Sequence, residues 1–563
     1  MENAFRLNHV GFRPDAAKKF VLAKPGPSRF QVLRLDSCRF SPVFEGQVVK
    51  TNNELGNEEW LGDFSAVRED GIYRLQCGEE ASRCFTVYRN VYDVPARVLL
   101  IYFNWQRCGE TAMGWHGPCH LDDGLIAETG QHRDFSGGFH QSSDLRKWAH
   151  GVPLGLVGLC NYAKVLSPHW DTNSIASELM WGSDYYHKVI ADNGMLYDSV
   201  YLPVGWDARE YYLSANNPLA HWNTLRFLAE ASSYFRGKDR YYHERCAADA
   251  RRIWNYMVSP ERSYSNYTAP KLPPIGHNCL NSMFSCFYED SALEIAYKLA
   301  AAAALFRATG EQSFLDTAAI SATALAELQL KNGTIPENPA SACFRESSDN
   351  AVLANSHNGY LWAPAGPLSL CDALQIAPDH PNASIWKDCI ARIAEQYEFL
   401  ARRNIWDLIP TIWQVNDSAS ADGYKGGYIG MPGTGESKLC SYKYYHVLNN
   451  MDIIANAVFM KKAARILSRV SYAEIAQRQL DWILGANPFD ASSVEGVGYN
   501  QPNHFFSGEF FPPTPQIPGG VCVGITETSM NPSNPINNLG HEYDMPIVGF
   551  LIWLLAEISD FNG

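Results

Sequence analysis

The chain lacks any apolar run long enough to cross a bilayer. Its longest late apolar stretch, Ile547 to Leu555, is too short to span the hydrocarbon core. Positive charge is also scarce: 46 Lys and Arg stand against 60 Asp and Glu, giving a net charge of −14. A nucleic-acid binder needs a basic surface to displace counterions, so that class is disfavoured. No phosphate-cradling glycine loop and no nucleophile elbow occurs, and no repeat of solenoid length recurs. The N-terminal stretch MENAFRLNHVGFRP has no basic segment followed by an apolar run, so no secretion signal is evident. The 14 cysteines are scattered. Without a signal they are expected to be reduced, buried thiols. These absences favour a cytoplasmic protein with neither membrane nor nucleic acid as a partner.

What is present points to a large folded chain. Of 563 residues, 46% are hydrophobic and 19% charged. That suits a small domain followed by a larger one. Residues 1–92 read as short strands between turn residues: Lys19 to Ala23, Phe30 to Leu35, Gly71 to Leu75 and Arg83 to Tyr88. Their spacing fits a β-sandwich of immunoglobulin type. From residue 93 to 563 the texture is helical. Asp144 to Val165, Ser174 to Asp192, Pro218 to Arg236, Tyr242 to Met257 and Ser291 to Thr309 carry one apolar face each. So do Ser313 to Gln329, Ser384 to Arg402, Asn449 to Leu467, Tyr472 to Leu484 and Pro546 to Ser559. This pattern suggests an all-α barrel whose loops at one end build a cleft. The run Ala300 to Ala304 reads as tight helix packing.

Aromatic residues make up 13% of the chain, a content that points first to a large core and second to sugar stacking. Trp206, Tyr211, Trp362, Trp413, Tyr444 and Tyr445 fall in expected loops and are candidate sugar platforms as well as candidate core residues. His357 and Trp362 form a polar-plus-aromatic pair. The densest polar region runs from Phe103 to Trp148. Asp144 lies at an expected helix start there, where capping and catalysis are both open. Cys108, Cys119, His120 and His140 supply two thiolates and two imidazoles, a donor set suited to tetrahedral zinc. Their spacing is not that of a zinc finger, and buried thiols with ordinary loop histidines remain the alternative.

Several landmarks in order resemble glycoside hydrolase family 9. Asn8 to Pro14 (NHVGFRP) and Asp63 to Val67 (DFSAV) are similar to its N-terminal immunoglobulin-like module. Phe103 to Gly109 resembles the opening of its catalytic domain. Gly137, Gly138, Phe139, His140 and Asp144 fit its hallmark. Glu289 to Leu305, and Leu484 to Pro488 with Gly496 to His504, resemble its alanine-rich helix and its late histidine loop.

The resemblance implies an (α/α)6 barrel and an inverting hydrolase. Inversion needs one carboxylate to deprotonate water and one carboxylic acid to protonate the leaving oxygen. The resemblance assigns the base to Asp144 and the acid to Glu542, with Glu527 and Asp544 as competing acids. It places Gln141 where the family has a first Asp that helps to hold the attacking water. A neutral amide can hydrogen-bond that water but cannot share the base function. His504 is expected to bind a sugar hydroxyl, although Phe505 and Phe506 follow it where the family has polar residues. The family's zinc positions match Cys108, Cys119, His120 and His140, which implies a structural zinc and no organic cofactor. A small β-1,4-linked gluco-configured oligosaccharide is the expected partner. Exo-action as a glucosaminidase or glucosidase is expected, since both suit a cytoplasmic setting. Gln141 also admits a sugar-binding homologue that has lost catalysis, and a remodelled base admits a different glycosidic linkage.

Overall fold

The computed structural model describes residues 4–24, 26, 28–51, 54–55, 59–109, 117–126, 129–142, 147–165, 172–201, 211–213, 217–260, 262, 287–349, 352–356, 361–416, 423–430, 434, 436–446, 449–502, 517–527, 529–530 and 542–559. Nine strands form the N-terminal module: β1 (Phe5–Arg6), β2 (Gly11–Phe12), β3 (Lys19–Leu22), β4 (Arg29–Asp36), β5 (Arg39–Thr51), β6 (Glu59–Asp63), β7 (Gly71–Cys77), β8 (Glu80–Ala81) and β9 (Phe85–Val87). Their order is β1-β3-β6-β5-β4-β7-β9-β2, with β8 against β7. The long β5 pairs with β4 through its first half and with β6 through its second. It thereby curls the sheet around one core, to which Phe5, Phe12, Phe20, Phe30, Phe64 and Phe85 contribute. β5 has no apolar stripe to read in sequence, because Val48 is its only buried residue.

Twelve α-helices follow among the described residues: α1 (Asp93–Trp105), α2 (Val152–Val165), α3 (Thr172–Val189), α4 (Pro218–Phe235), α5 (Arg240–Met257), α6 (Ala292–Thr309), α7 (Gln312–Glu327), α8 (Gly366–Ile376), α9 (Ala383–Ala401), α10 (Asn450–Leu467), α11 (Val470–Ile483) and α12 (Met545–Ser559). The even-numbered helices touch in a closed cycle, α2-α4-α6-α8-α10-α12-α2, and each odd-numbered helix packs outside it. This is the expected (α/α)6 barrel. The inner helices are buried almost all round. Ala300 to Ala304 of α6 are at most 1% exposed, so small side chains let its neighbours close in.

Two parts of the sequence reading need correction. The helix expected from Asp144 begins at Val152. Residues 147–151 form a turn instead, with Gly151 N and Val152 N both bonded to the Trp148 carbonyl. Within this turn Ala149 N donates to the Asp198 carboxylate at 3.0 Å instead of to a helical carbonyl. Asp144 itself lies outside the described residues. Tyr211 and Trp413 lie in strands, not loops. Tyr211 opens β12 (Tyr211–Leu213), which pairs with β10 (Leu125–Ile126) and β11 (Asp198–Tyr201). Trp413 lies in β13 (Ile412–Asn416), which with β14 (Tyr424–Gly430) and β15 (Ser437–Lys443) forms a second small sheet. Helices α1 and α8 were also unread, because Pro95 and the pair Gly366-Pro367 interrupt the pattern near their starts, where proline is tolerated.

The module is bonded to the barrel through polar groups. Asn8 donates to Asp481 at 3.0 Å, and the Arg13 guanidinium donates to the Ser559 carbonyl at 3.0 Å. His9 stacks on Tyr499 with ring centroids 3.5 Å apart and meets Asp490 at 3.1 Å. A side chain at Gly485 (φ +119°) would collide with the His9 ring at 2.3 Å.

The cycle closes where α2 meets α12. A Cβ on Gly158 would fall 2.0 Å from the Gly549 carbonyl oxygen, and one on Gly549 would fall 2.1 Å from that of Gly155. The two backbones are therefore in contact. Gly158→Ala must push the helices apart and is expected to cost about 1–3 kcal/mol in denaturant unfolding, despite alanine's better helix propensity. An unchanged or raised unfolding midpoint would contradict this packing.

Candidate active site and a cysteine–histidine cluster

At the start of α12 four chain segments lie side by side. Ser142 bridges to Asp544, Tyr543 to Cys522, and Val521 to Val494. Met545 N donates to the Gln141 carbonyl at 2.9 Å, and Val523 N to the Glu542 carbonyl at 3.0 Å. The start of α10 joins the same array, since Asn450 N donates to the Val523 carbonyl at 2.9 Å. The structure thus brings Gln141 and Ser142 against Glu542 to Met545, although some 400 residues separate them in sequence. Asp144 lies two positions beyond Ser142. The far side of that stretch is held by Lys147, whose ammonium pairs with Asp123 in a fully buried ion pair and donates to the Phe135 carbonyl at 2.8 Å.

Glu542 is half-buried. Asp544 is 5% exposed and its backbone is committed to the array. Glu527 is exposed and accepts from the Tyr445 hydroxyl at 3.4 Å. Tyr445 is half-buried, with its ring 5.3 Å from that of Trp482. Trp206, His357 and His504 lie outside the described residues. Trp362 and Trp413, expected as platforms, are 4% and 1% exposed. They pack on Phe344 and Tyr442 at 5.1 and 5.3 Å, so neither offers a free face to a sugar. Tyr444 is buried too, its hydroxyl shared between Glu54 and the Leu400 carbonyl.

Sequence reasoning missed several polar groups at this end of the ring. The Gln141 Oε1 atom is buried without a hydrogen-bond partner among the described residues, and it lies against Gly151, where a Cβ would meet it at 1.9 Å. Both amide atoms of Asn449 and Oδ2 of Asp452 are likewise buried and unpartnered. Such atoms cost about 1–3 kcal/mol each when unsatisfied, and a hydroxyl-rich ligand is chemistry that satisfies them. Burial holds the Asp452 carboxyl well above the usual range. Glu495 is raised by burial against a hydrogen bond from Tyr543, the neighbour of Glu542. In sequence Asn449 and Asp452 look like ordinary helix-start residues, and only the closed ring marks them as buried.

Cys108, Cys119, His120 and His140 converge. All four are buried, and their ligand atoms lie within 4.8 Å of one another. The two sulfurs are 3.9 Å apart, and Cys119 Sγ is 3.5 Å from His140 Nε2. A tetrahedral ion with bonds of about 2.0–2.3 Å separates its donors by roughly 3.3–3.8 Å, so the residues fit a metal of zinc's size. Backbone bonds gather them: Cys108 N to the Gly138 carbonyl at 2.9 Å, Cys119 N to Gly109 at 3.1 Å and His140 N to Gln106 at 2.8 Å. The chain reverses through Gly138 at φ +78°, where a side chain would strike the Tyr185 ring. Arg107 makes a two-pronged ion pair with Glu178, both contacts at 2.9 Å, and fixes the same segment from outside. His140 immediately precedes Gln141, so the cluster and the paired array share one strand.

A sequence model described as Glycosyl hydrolase family 9 matches residues 92–524, and one described as Cellulase N-terminal ig-like domain matches residues 1–82. A cellodextrinase of Butyrivibrio fibrisolvens is 21% identical over 527 residues, covering 87% of this chain and 84% of that protein. An endoglucanase D of Acetivibrio thermocellus is 29% identical over 172 residues, covering 28% and 27%. Among solved structures, a metagenome-derived family 9 endoglucanase superposes with a TM-score of 0.71 at 17% identity, covering 99% of each chain. A family 9 protein of Bacteroides ovatus gives 0.67 at 16%, covering 100% of this chain and 99% of that one.

The raised Asp452 carboxyl makes a pH prediction. A folded-state pKa above the unfolded one means stability is lost as pH rises from the unfolded value toward the folded one. Asp452→Asn has no such dependence. Its stability relative to the parent is expected to improve across that window by up to about 1.4 kcal/mol per pH unit. Parallel melting curves from pH 4 to 8 read this directly, and a gap that does not change with pH refutes it.

Proposed function

The chain belongs to glycosyl hydrolase family 9, and on that premise we propose that it hydrolyses β-1,4-linked gluco-configured oligosaccharides with inversion at the anomeric carbon. The observation that supports this reading is the pairing of Ser142, two positions before Asp144 in sequence, with Asp544, two positions after Glu542. In the proposed step Asp144 removes a proton from water as it attacks the anomeric carbon. Glu542 gives a proton to the departing glycosidic oxygen, on the opposite face of the sugar. Gln141 hydrogen-bonds the water but takes no proton, so Asp144 is the sole base. Trp206, Tyr211, His357, Tyr445 and His504 are proposed sugar contacts.

We further propose exo-action on short soluble chains, on a glucoside or a glucosaminide. The cellodextrinase name of one relative supports short substrates, and the acidic chain favours a cationic sugar. All twelve cysteines among the described residues are free, which supports a reducing, cytoplasmic setting. Residues 1–92 and 93–563 are proposed as the two domains.

A screen of β-linked glucose, glucosamine and N-acetylglucosamine disaccharides, with the product anomer followed by NMR, tests the reading. Turnover with the inverted anomer is expected, and Asp144→Asn or Glu542→Gln should each lower kcat about 10²- to 10⁴-fold. A retained anomer would overturn inversion. Tight sugar binding without turnover would favour a binding protein, the reading that Gln141 supports.

Cys108, Cys119, His120 and His140 are proposed to hold a structural zinc. Four protein ligands leave no open position, so the ion would brace the strand that leads into Gln141. Elemental analysis of protein purified without chelator should give about one zinc per chain, and Cys108→Ser should lose it together with thermal stability. Metal-free protein of unchanged stability would remove this assignment.

A further inference from the structure

A cavity of about 620 Å³ lies between the module and the barrel, where the last turns of α10 meet the first turn of α11. Its charge runs against that of the whole molecule. Arg13 and Arg68 of the module and Lys461, Arg465 and Arg469 of the barrel line it, with Asp15 and Glu474 as the only carboxylates in the wall among the described residues. Five cations against two carboxylates leave +3 in a chain of net −14.

Part of this charge is already matched. Arg13 donates to Asp15 at 3.2 Å and to the carbonyls of Arg89 and Ser559. Arg465 pairs with Glu557, which is outside the wall, at 2.5 Å. Glu474 faces Arg402 at 3.3 Å, and Arg469 reaches Glu398 only at 3.9 Å. Two cations are left over. Lys461 and Arg68 make no ion pair and no hydrogen bond among the described residues. Arg68 is exposed, whereas Lys461 is half-buried. Burial lowers the Lys461 pKa first, and the neighbouring Arg465 and Arg13 lower it further against Glu557 and Asp15. Desolvating an ammonium among guanidinium groups is unfavourable unless an anion joins them. The start of α11 adds to the field, because Val470 and Ala473 line the cavity and Arg469 provides no side-chain cap for its first turn.

We propose that this inter-domain cavity binds a small phosphate-bearing anion, with Lys461 and Arg68 as its direct partners. An anion with two charges suits the two leftover cations, Lys461 and Arg68, better than chloride does. The site is separate from the proposed sugar cleft. Lys461 lies twelve residues along α10 from Asn449, about 18 Å at 1.5 Å per residue, toward the other end of the ring. A ligand there touches both domains at once and stabilises their contact by binding only the docked form.

Calorimetric titration of the intact protein with inorganic phosphate, and separately with glucose 6-phosphate, tests this at fixed ionic strength in sodium chloride. Saturable binding is expected, weakened at least tenfold by combining Lys461→Met with Arg68→Gln. Glu474→Gln, which removes a wall carboxylate, should tighten it. Tighter binding of the sugar phosphate identifies a phosphosugar as the ligand, and equal affinity identifies the phosphate group alone; both support the site. Absence of binding at millimolar concentration, or equal affinity in parent and double variant, overturns it. If the double variant does not fold, Glu474→Gln decides, and unchanged affinity there overturns the proposal.

Discussion

The closure of the helical ring depends on three glycines. Gly155 and Gly158 of α2 and Gly549 of α12 let the first and last inner helices meet backbone to backbone. Any larger side chain at this seam opens the cycle. The segments that lead into these two helices carry Gln141 and Glu542, and their pairing through Ser142 and Asp544 continues the seam beyond the helix ends. The packing of helix on helix thus continues directly into the pairing of the Gln141–Ser142 segment with Glu542 to Met545.

Around that seam the protein tolerates polar groups that an ordinary core would exclude. Gln141, Asn449 and Asp452 keep buried atoms without a hydrogen-bond partner among the described residues at one end of the ring. Their cost is borne by the very apolar inner helices beneath them, of which α12 is buried at every position but its last. The cysteine–histidine cluster lies beside the same end. It joins the end of α1 to the strand leading into Gln141, and Arg107 with Glu178 clamps that strand from without.

Much of this was legible in the sequence. Ten of the helices showed their 3.6-residue apolar period, and the segment expected from Ser291 is α6, which Ser291 caps by accepting from Glu294 N at 3.2 Å. The four cluster residues could be named from donor chemistry and resemblance together. What escaped was decided by distant partners. β5 has no apolar face of its own and is a strand because β4 and β6 hold its edges. The late start of α2, at Val152, goes with a turn at 147–151 whose Ala149 N is bonded to the distant Asp198. Trp362 and Trp413 have the composition of sugar platforms but are covered by neighbours remote in sequence. Burial at a ring end is a tertiary property, so Asn449 and Asp452 could not be told from ordinary helix starts.

The glycine seam also has a temporal side. α2 begins at residue 152 and α12 at residue 545, so 393 residues are made between the two halves of the contact. At bacterial or eukaryotic elongation speeds of about 5–20 residues per second, that interval is roughly 20–80 s. During it the bare glycine face of α2, with Leu154, Leu156 and Val157 beside it, has no partner from α12. The nascent barrel is an open arc through most of its synthesis, and its cleft comes into being only when the last inner helix arrives.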